Sequence, residues 1–206
     1  LDADDEGIFS GRPLTGGVTL GEQVRSLSDY MFSRSGIKAL VIPGTVSTIG
    51  NYVFDKCTSL ASISFEAGVA PLTIGYQPGA ADCGPFYDSP LTYIYLGRNL
   101  ISTNVTVEST GKGIFSNEFA YPTKVDFGEG FTTILSYMFS HTGVGAAVDS
   151  NGKPTGAAGS LWIPHTITSF GNKAFNNCDK LSTLRLGYDG TTPFPSIGEN
   201  VFYQCD

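Results

Sequence analysis

The 206 residues of the chain are poor in charge and rich in glycine: Lys, Arg, Asp and Glu make up 15%, against roughly 25% in ordinary domains, and 26 residues are Gly. The net charge of −7 argues against nucleic acid, which is bound through clustered basic residues. No segment reaches the ~20 consecutive apolar residues of a membrane span. Because the chain begins at Leu1 rather than Met, we expect a mature or trimmed form from which an export signal has been removed.

Short segments with apolar outer residues and a variable middle residue recur along the chain. This period of two is typical of a β-strand that buries one face. In chain order, the predicted strands are residues 18–20, 40–42, 63–65, 94–96, 125–127, 161–163 and 184–186. A unit with one such strand cannot bury its apolar side alone, so we expect the strands to stack as one parallel sheet.

The strands belong to a repeat that is centred on phenylalanine. Residues 48–65 and 169–186 match at every apolar position, and residues 196–205 begin a third copy. Further copies, some weak, bring the number of complete or partial units to eight. We expect an interior column of rings that contains Phe32, Phe54, Phe86, Phe139 and Phe175.

One corner of the repeat alternates between two designs. Where Cys stands three residues after Phe, the next apolar position comes six residues after Phe, as at Leu60 after Cys57. Where Ser or Thr stands there, Gly or Pro follows and that position comes one residue earlier, as at Ile37 after Ser35. Gly and Pro permit tighter turns, so the two patterns predict two turns at the same corner.

The repeats resemble the BspA-like class of bacterial leucine-rich repeats, which read approximately Ile-Gly-x-x-Ala-Phe-x-x-Cys-x-x-Leu-x-x-Ile-x-Leu-Pro. The match is strongest around Phe54, Phe175 and Phe202, and weak around Phe9 and Phe115. The resemblance implies a leucine-rich-repeat solenoid with a parallel β-sheet on one face and turns and short helical segments on the other. It also implies an exported or surface-attached extracellular protein with a role in adhesion, for which a lipid anchor before trimming is one mode of attachment. The family brings no catalytic residues.

We interpret residues 1–206 as a single leucine-rich-repeat domain with insertions near 66–85, 98–113 and 145–160. The last insertion is rich in Gly, Ala and Ser, and we expect it to be a mobile excursion. Repeats continue on both sides of each insertion, so none is an interdomain linker.

The cysteines share the phase of the repeat, which predicts small buried residues at Cys57, Cys178 and Cys205. Cys83 is out of phase, and a disulfide bond with Cys57 remains an alternative. No two cysteines have the close spacing of zinc ligands, so we expect no metal.

No pattern in the sequence points to catalysis. The repeat pattern places neither a nucleophile nor an orienting acid beside His141 or His165. The acidic start at residues 2–7 fails as a calcium loop, because its twelfth position is Pro13 where a bidentate Glu is needed. We therefore expect no catalytic residue and no cofactor. A hydrolase stays the least favoured alternative, since a pair of catalytic acids leaves no spacing signature.

The outward residues of the strands form the candidate binding surface. Aromatic residues and Arg are enriched at binding hot spots, although exposed aromatics also suit a strand for conformational reasons alone. We expect a monomer that binds a protein or glycan, with a structural spacer in a larger surface protein as the alternative. The candidate ligand-binding residues are Tyr93, Tyr95, Asp126, Trp162 and Arg185.

Overall fold

The computed structural model describes residues 7–75, 85–86, 88–102, 111, 113–116, 122–150, 154–188 and 190–205. Its strands, in chain order, are β1 Ser26–Leu27, β2 Ala39–Ile42, β3 Thr48–Ile49, β4 Ser62–Phe65, β5 Leu72–Ile74, β6 Tyr93–Leu96, β7 Leu100–Ser102, β8 Lys124–Phe127, β9 Thr133–Ile134, β10 Ala146–Val148, β11 Pro154–Pro164, β12 Ser169–Phe170, β13 Leu181–Gly187 and β14 Ser196–Ile197. The chain winds as a parallel β-solenoid, in which a short strand, a corner built on Phe and a longer strand recur.

The longer strands stack in the register that the repeat predicts. β2, β4, β6 and β8 form one parallel sheet, in which Leu40 pairs with Ile63, Ile63 with Ile94, and Ile94 with Val125. Their apolar residues point into the core and the intervening residues point outward. The alternation of apolar residues in the sequence therefore predicted the bounds of these four strands to within one residue.

Two of the sequence predictions about the sheet were wrong. Residues 161–163 and 184–186 do lie in parallel strands, β11 and β13, but these form a second sheet that is not hydrogen-bonded to β8. Residues 18–20 pack partly buried against the core without forming a strand. The single predicted sheet is therefore interrupted between β8 and β11.

A second line of strands, which the sequence did not predict, runs along the solenoid. It comprises the parallel sheets β1-β3-β5-β7 and β14-β12-β9. Between them, the Oδ1 atom of Asn99 accepts hydrogen bonds from the backbone amides of Thr132 and Thr133, at 2.8 and 3.0 Å. A side chain thus replaces the missing strand-to-strand contact. Most of these strands have only two residues, too few to show an alternating pattern.

The core contains the predicted column of phenylalanine rings. The five expected rings lie in one file, Phe115 fills the place between Phe86 and Phe139, and Phe9 and Phe202 extend the file at its ends. Neighbouring ring centroids are 5.2 to 5.9 Å apart. From Phe32 to Phe175 the rings are buried. Stacking at this distance combines apolar burial with a favourable offset geometry.

The variable corner residue bonds the preceding turn in four of the turns. Three residues after Phe, a thiol or hydroxyl group donates a hydrogen bond to the carbonyl of the preceding turn's Phe: Cys57 to Phe32 at 2.9 Å, Ser89 to Phe54 at 2.6 Å, Cys178 to Phe139 at 3.1 Å and Cys205 to Phe175 at 3.0 Å. Thr142 differs, because its hydroxyl donates to the carbonyl of Phe139 in its own turn, at 2.7 Å. Cys57 and Cys178 are buried, as predicted, and Cys205 is partly buried. These three cysteines form no disulfide bond, and Cys83 lies outside the described residues.

The predicted short helical segments are absent from the described residues, whose corners are tight turns. Residues two before and two after Phe have positive φ angles, as at Tyr52 and Lys56 around Phe54 and at Lys173 and Asn177 around Phe175. L-residues enter this left-handed region singly rather than as helices. The corner therefore reverses direction without a helical turn. Within the same residues, no helix could cross a membrane.

Arg98 links turns of the solenoid that are not neighbours. It follows β6, yet its Nη1 and Nη2 atoms donate to the carbonyls of Gly44 and Pro43 after β2, at 3.1 and 3.0 Å. The guanidinium passes over Gly68, where a Cβ atom would lie 2.8 Å from Nη1. The side chain is buried and thus clamps the first and third of three successive turns.

The described residues of the insertion near 145–160, which was expected to be a mobile excursion, form two paired β-strands. β10 pairs antiparallel with the first half of β11, with Ala146 opposite Ala158 and Val148 opposite Pro154. The insertions near 66–85 and 98–113 contribute β5 and β7 to the solenoid, and their remaining residues lie largely outside the described part of the chain.

Candidate ligand-binding cleft

A cleft of about 740 Å³ opens on the outer face of the solenoid, between β8 and β11. The residues of β8 form one wall and residues 159–162 of β11 the other, with Arg185 beside the second wall. Residues 145–148 of the inserted hairpin also line it. Three of the five predicted binding residues, Asp126, Trp162 and Arg185, therefore line one cavity.

The inserted hairpin accounts for the gap in the sheet. In the regular part of the solenoid, the amide of Lys124 donates to the carbonyl of Thr92 one turn earlier. Ser160 has the equivalent place in β11, so its amide would be expected to meet the carbonyl of Thr123. In the structure, the amide of Gly145 donates to that carbonyl, at 3.2 Å. The insertion thus takes the acceptor that would have joined β11 to β8.

Tyr93, Lys124 and Asp126 form a connected cluster at the β8 wall. The Tyr93 hydroxyl donates to Oδ2 of Asp126 at 3.1 Å, and Nζ of Lys124 lies 3.3 Å from the same oxygen and 5.1 Å from the centre of the Tyr93 ring. Burial, followed by the negative charge of Asp126, raises the pKa of Tyr93 to about 12. The charges at this wall are therefore satisfied internally.

Trp162 and Arg185 are cross-strand neighbours at the opposite wall. They pair directly in the parallel register of β11 and β13, and both side chains point away from the core. The indole is 57% exposed and covers Gly187, where a Cβ atom would lie 2.6 Å from Cζ2. Arg185 makes no ion pair with any described residue. This wall thus presents an open aromatic ring beside an uncompensated cation.

Tyr93 and Tyr95 lie beside the cleft rather than in it. Tyr95 pairs with Asp126 across β6 and β8, and its hydroxyl lies against Gly128. Both tyrosines are partly buried. The structure therefore divides the predicted surface into Asp126, Trp162 and Arg185, which line the cleft, and the two tyrosines, which support its β8 wall.

The other residues considered for chemistry have structural settings. His141 occupies a left-handed corner position, and the Nδ2 atom of Asn177 lies 3.1 Å from its Nε2 atom. In the described part of the chain, no cluster of three or more His, Cys, Asp or Glu could hold a metal ion.

The family model for the BspA-type leucine-rich repeat region matches residues 5–77 and 156–206 in six copies, which is more than half of the chain. The chain belongs to the BspA-type leucine-rich repeat family. Members are generally non-enzymatic repeat proteins. None of the curated proteins compared with the chain matches it.

Two solved structures extend the comparison of this BspA-type repeat chain. A leucine-rich repeat protein from Bacteroides ovatus is 22% identical with a TM-score of 0.55, over 90% of this chain and 39% of its own. A leucine-rich cell surface protein from Faecalibacterium prausnitzii is 16% identical with a TM-score of 0.29, over 100% of this chain and 77% of its own. The chain thus spans about two fifths of the Bacteroides protein, with which it shares the fold.

The sequence did not reveal the cleft. The available signal was the position of the insertion, which falls between Phe139 and β11, directly before a strand that should have joined the sheet. An insertion at that point competes for the hydrogen bonds of the strand that follows it.

Proposed function

We propose that this chain is a non-catalytic binding module of the cell surface, which recognises a protein or glycan through the cleft between β8 and β11. The proposal rests on one observation: one cavity of about 740 Å³ is lined by Asp126, Trp162 and Arg185. Ligand sites are typically concave, with volumes of about 300–1,000 Å³ and a few polar groups among apolar ones. The surface location is supported by family membership.

The test is a screen of the whole chain against immobilised extracellular proteins and glycans, followed by measurement of affinity for each ligand found. Trp162→Ala is the main variant, and Tyr95→Ala/Trp162→Ala tests whether the neighbouring tyrosine contributes. Because hot-spot truncation costs more than about 1 kcal/mol, we expect affinity to fall at least fivefold with Trp162→Ala.

Val41→Ala is the matched control, because Val41 is also exposed on the outer face of its strand, on β2 and away from the cleft. Equal binding by all variants would move the site elsewhere, and residues 145–160 would be examined next. Absence of any ligand in the screen would instead favour a structural spacer.

A further inference from the structure

The width of the cleft limits the ligand groups that can enter it. β8 and β11 are not hydrogen-bonded to each other, yet their Cα atoms approach within 8 Å. Paired strands lie about 4.8 Å apart, so a peptide strand inserted between them would need roughly 9.6 Å. The cleft is therefore too narrow, along part of its length, for an extended peptide that pairs with both walls.

The charge inside the cleft is locally positive, although the whole chain carries a net charge of −7. Lys124 and Asp126 neutralise each other at 3.3 Å, and among the described lining residues the remaining charged one is Arg185. A guanidinium group binds a carboxylate through two parallel hydrogen bonds, which makes it selective for planar anions. Arg185, which has no ion-pair partner among the described residues, therefore favours a carboxylate on the ligand.

The aromatic ring beside that cation is exposed. Its Cζ2 and Cη2 atoms lie close to Gly187, and the Trp162 side chain remains more than half exposed. Exposed indoles offer a flat apolar surface to which the C–H face of a sugar ring can pack.

The backbone of the β8 wall offers hydrogen-bonding groups as well. The amides of Lys124 and Gly128 donate to β6, so strand alternation directs the N–H and C=O groups of Val125 and Phe127 toward the cleft. No strand pairing uses them among the described residues. A ligand rich in hydroxyl groups can satisfy donors and acceptors of this kind together.

We propose that the cleft binds a carboxylate-bearing sugar residue of a glycan, with the sugar ring on Trp162 and its carboxylate on Arg185. This inference rests on the proposed function and specifies its ligand. Uronic acids and sialic acids share this chemistry.

The test titrates the whole chain with three soluble probes: a glucuronate-containing tetrasaccharide, a sialylated trisaccharide and a neutral glucose tetrasaccharide. Emission from Trp162, the one tryptophan of the chain, reports binding at the site, and calorimetry gives the affinity. We expect one of the acidic probes to bind at least about tenfold more tightly than the neutral one, as loss of a charge-assisted hydrogen bond implies. The acidic probe that binds identifies the source of the carboxylate.

Arg185→Gln should lower the affinity for the acidic probe about tenfold. Lys180→Gln is the control, because it removes one positive charge from a lysine that pairs with Asp179 and does not line the cleft, and it should change the affinity by less than about threefold. Equal affinity for neutral and acidic probes, or full binding by Arg185→Gln, would overturn the inference. Tighter binding of a glutamate-rich peptide would assign the cleft to a protein ligand, which overturns the inference and leaves the proposed function standing. If no probe binds and every protein ligand is insensitive to Trp162→Ala, both proposals fail.

Discussion

The indole of Trp162 lies over the backbone of Gly187, one turn further along the solenoid, and Tyr95 has the same relation to Gly128. In both pairs, the glycine comes two residues after the cross-strand neighbour of the aromatic residue, which is Arg185 for Trp162 and Asp126 for Tyr95. The absence of a side chain at the glycine provides the space that the ring occupies. The orientation of the candidate binding residue is therefore set from the next turn.

Gly187→Ala should displace the indole without unfolding the chain. The new Cβ atom would lie 2.6 Å from Cζ2 and 3.0 Å from Cη2 of Trp162, too close for either ring atom to stay in place. We expect a shift in tryptophan emission and weaker binding of any cleft ligand. Gly21→Ala is the control, because its Cβ atom would meet nothing within 4 Å. An unchanged emission spectrum in Gly187→Ala would show that the ring does not depend on this glycine.

Phe54→Ala should destabilise the chain by about 3–5 kcal/mol, the usual cost of removing a large buried ring. The ring is fully buried and stacks on Phe32 and Phe86, so the cavity would interrupt the column. Phe9→Ala should cost clearly less, because Phe9 is 40% exposed and ends the column. Urea denaturation measures both free energies of unfolding. Equal losses would contradict a continuous core.

Tyr93 should make the chain less stable at strongly alkaline pH. Its pKa is raised from 10.0 to about 12 in the folded state, chiefly by burial and then by Asp126. The unfolded chain therefore loses the Tyr93 proton at a lower pH than the folded chain does. The stability that the protonated hydroxyl contributes is complete below pH 10 and is lost as the pH rises to about 12. Tyr93→Phe should remove this part of the decline. The absorbance of the phenolate in an alkaline titration reports the ionisation of Tyr93. Asp126→Asn should move this ionisation to lower pH, and an unchanged titration would exclude the Asp126 carboxylate as a cause of the raised pKa.

Asp55→Asn should stabilise the chain at neutral pH. Burial raises the pKa of Asp55 above its ordinary value of 3.8, so the ionised form costs stability once the pH exceeds the folded pKa. Asn176 has the equivalent place in another turn, where its Nδ2 atom donates to the Ser140 hydroxyl at 3.3 Å. The substituted amide would meet Ser33 in the same way.

The advantage of Asp55→Asn should vanish in acid, where Asp55 is protonated in both the folded and the unfolded state. Thermal melts at neutral and acidic pH test this difference. A variant less stable than the parent at neutral pH would mean that the carboxylate makes a net favourable contact.

The features that recur in every turn could be predicted from the sequence. The phenylalanine column and the strands β2, β4, β6 and β8 depend on periodic burial, which leaves an apolar residue at a fixed place in each repeat. The left-handed corners could not be predicted from the sequence, because residues such as Tyr52 and Lys56 occupy a backbone conformation that usually favours Gly or Asn. Their φ angles are imposed by the packing of neighbouring turns.

The cleft depends on a single competition for a hydrogen bond, which no periodic pattern encodes. Trp162 and Arg185 were expected to lie near one another because strand register places them together, and they do. That Asp126 faces them across a gap follows from the contact of Gly145 with Thr123. Insertions of this kind open clefts in a solenoid where the repeat itself would have closed the sheet.

The clamp from Arg98 to Pro43 and Gly44 restricts how repeats can be gained or lost in this region. Stacked repeats are usually treated as a sum of each unit and its contacts with the next, so that copies can be duplicated or deleted with little effect elsewhere. The Arg98 side chain spans one intervening turn to reach its two carbonyl acceptors. An added or missing turn would change the distance between Arg98 and these acceptors by about 4.8 Å. The three turns from β2 to β6 are therefore expected to be inherited together, while copy number remains free to vary outside them.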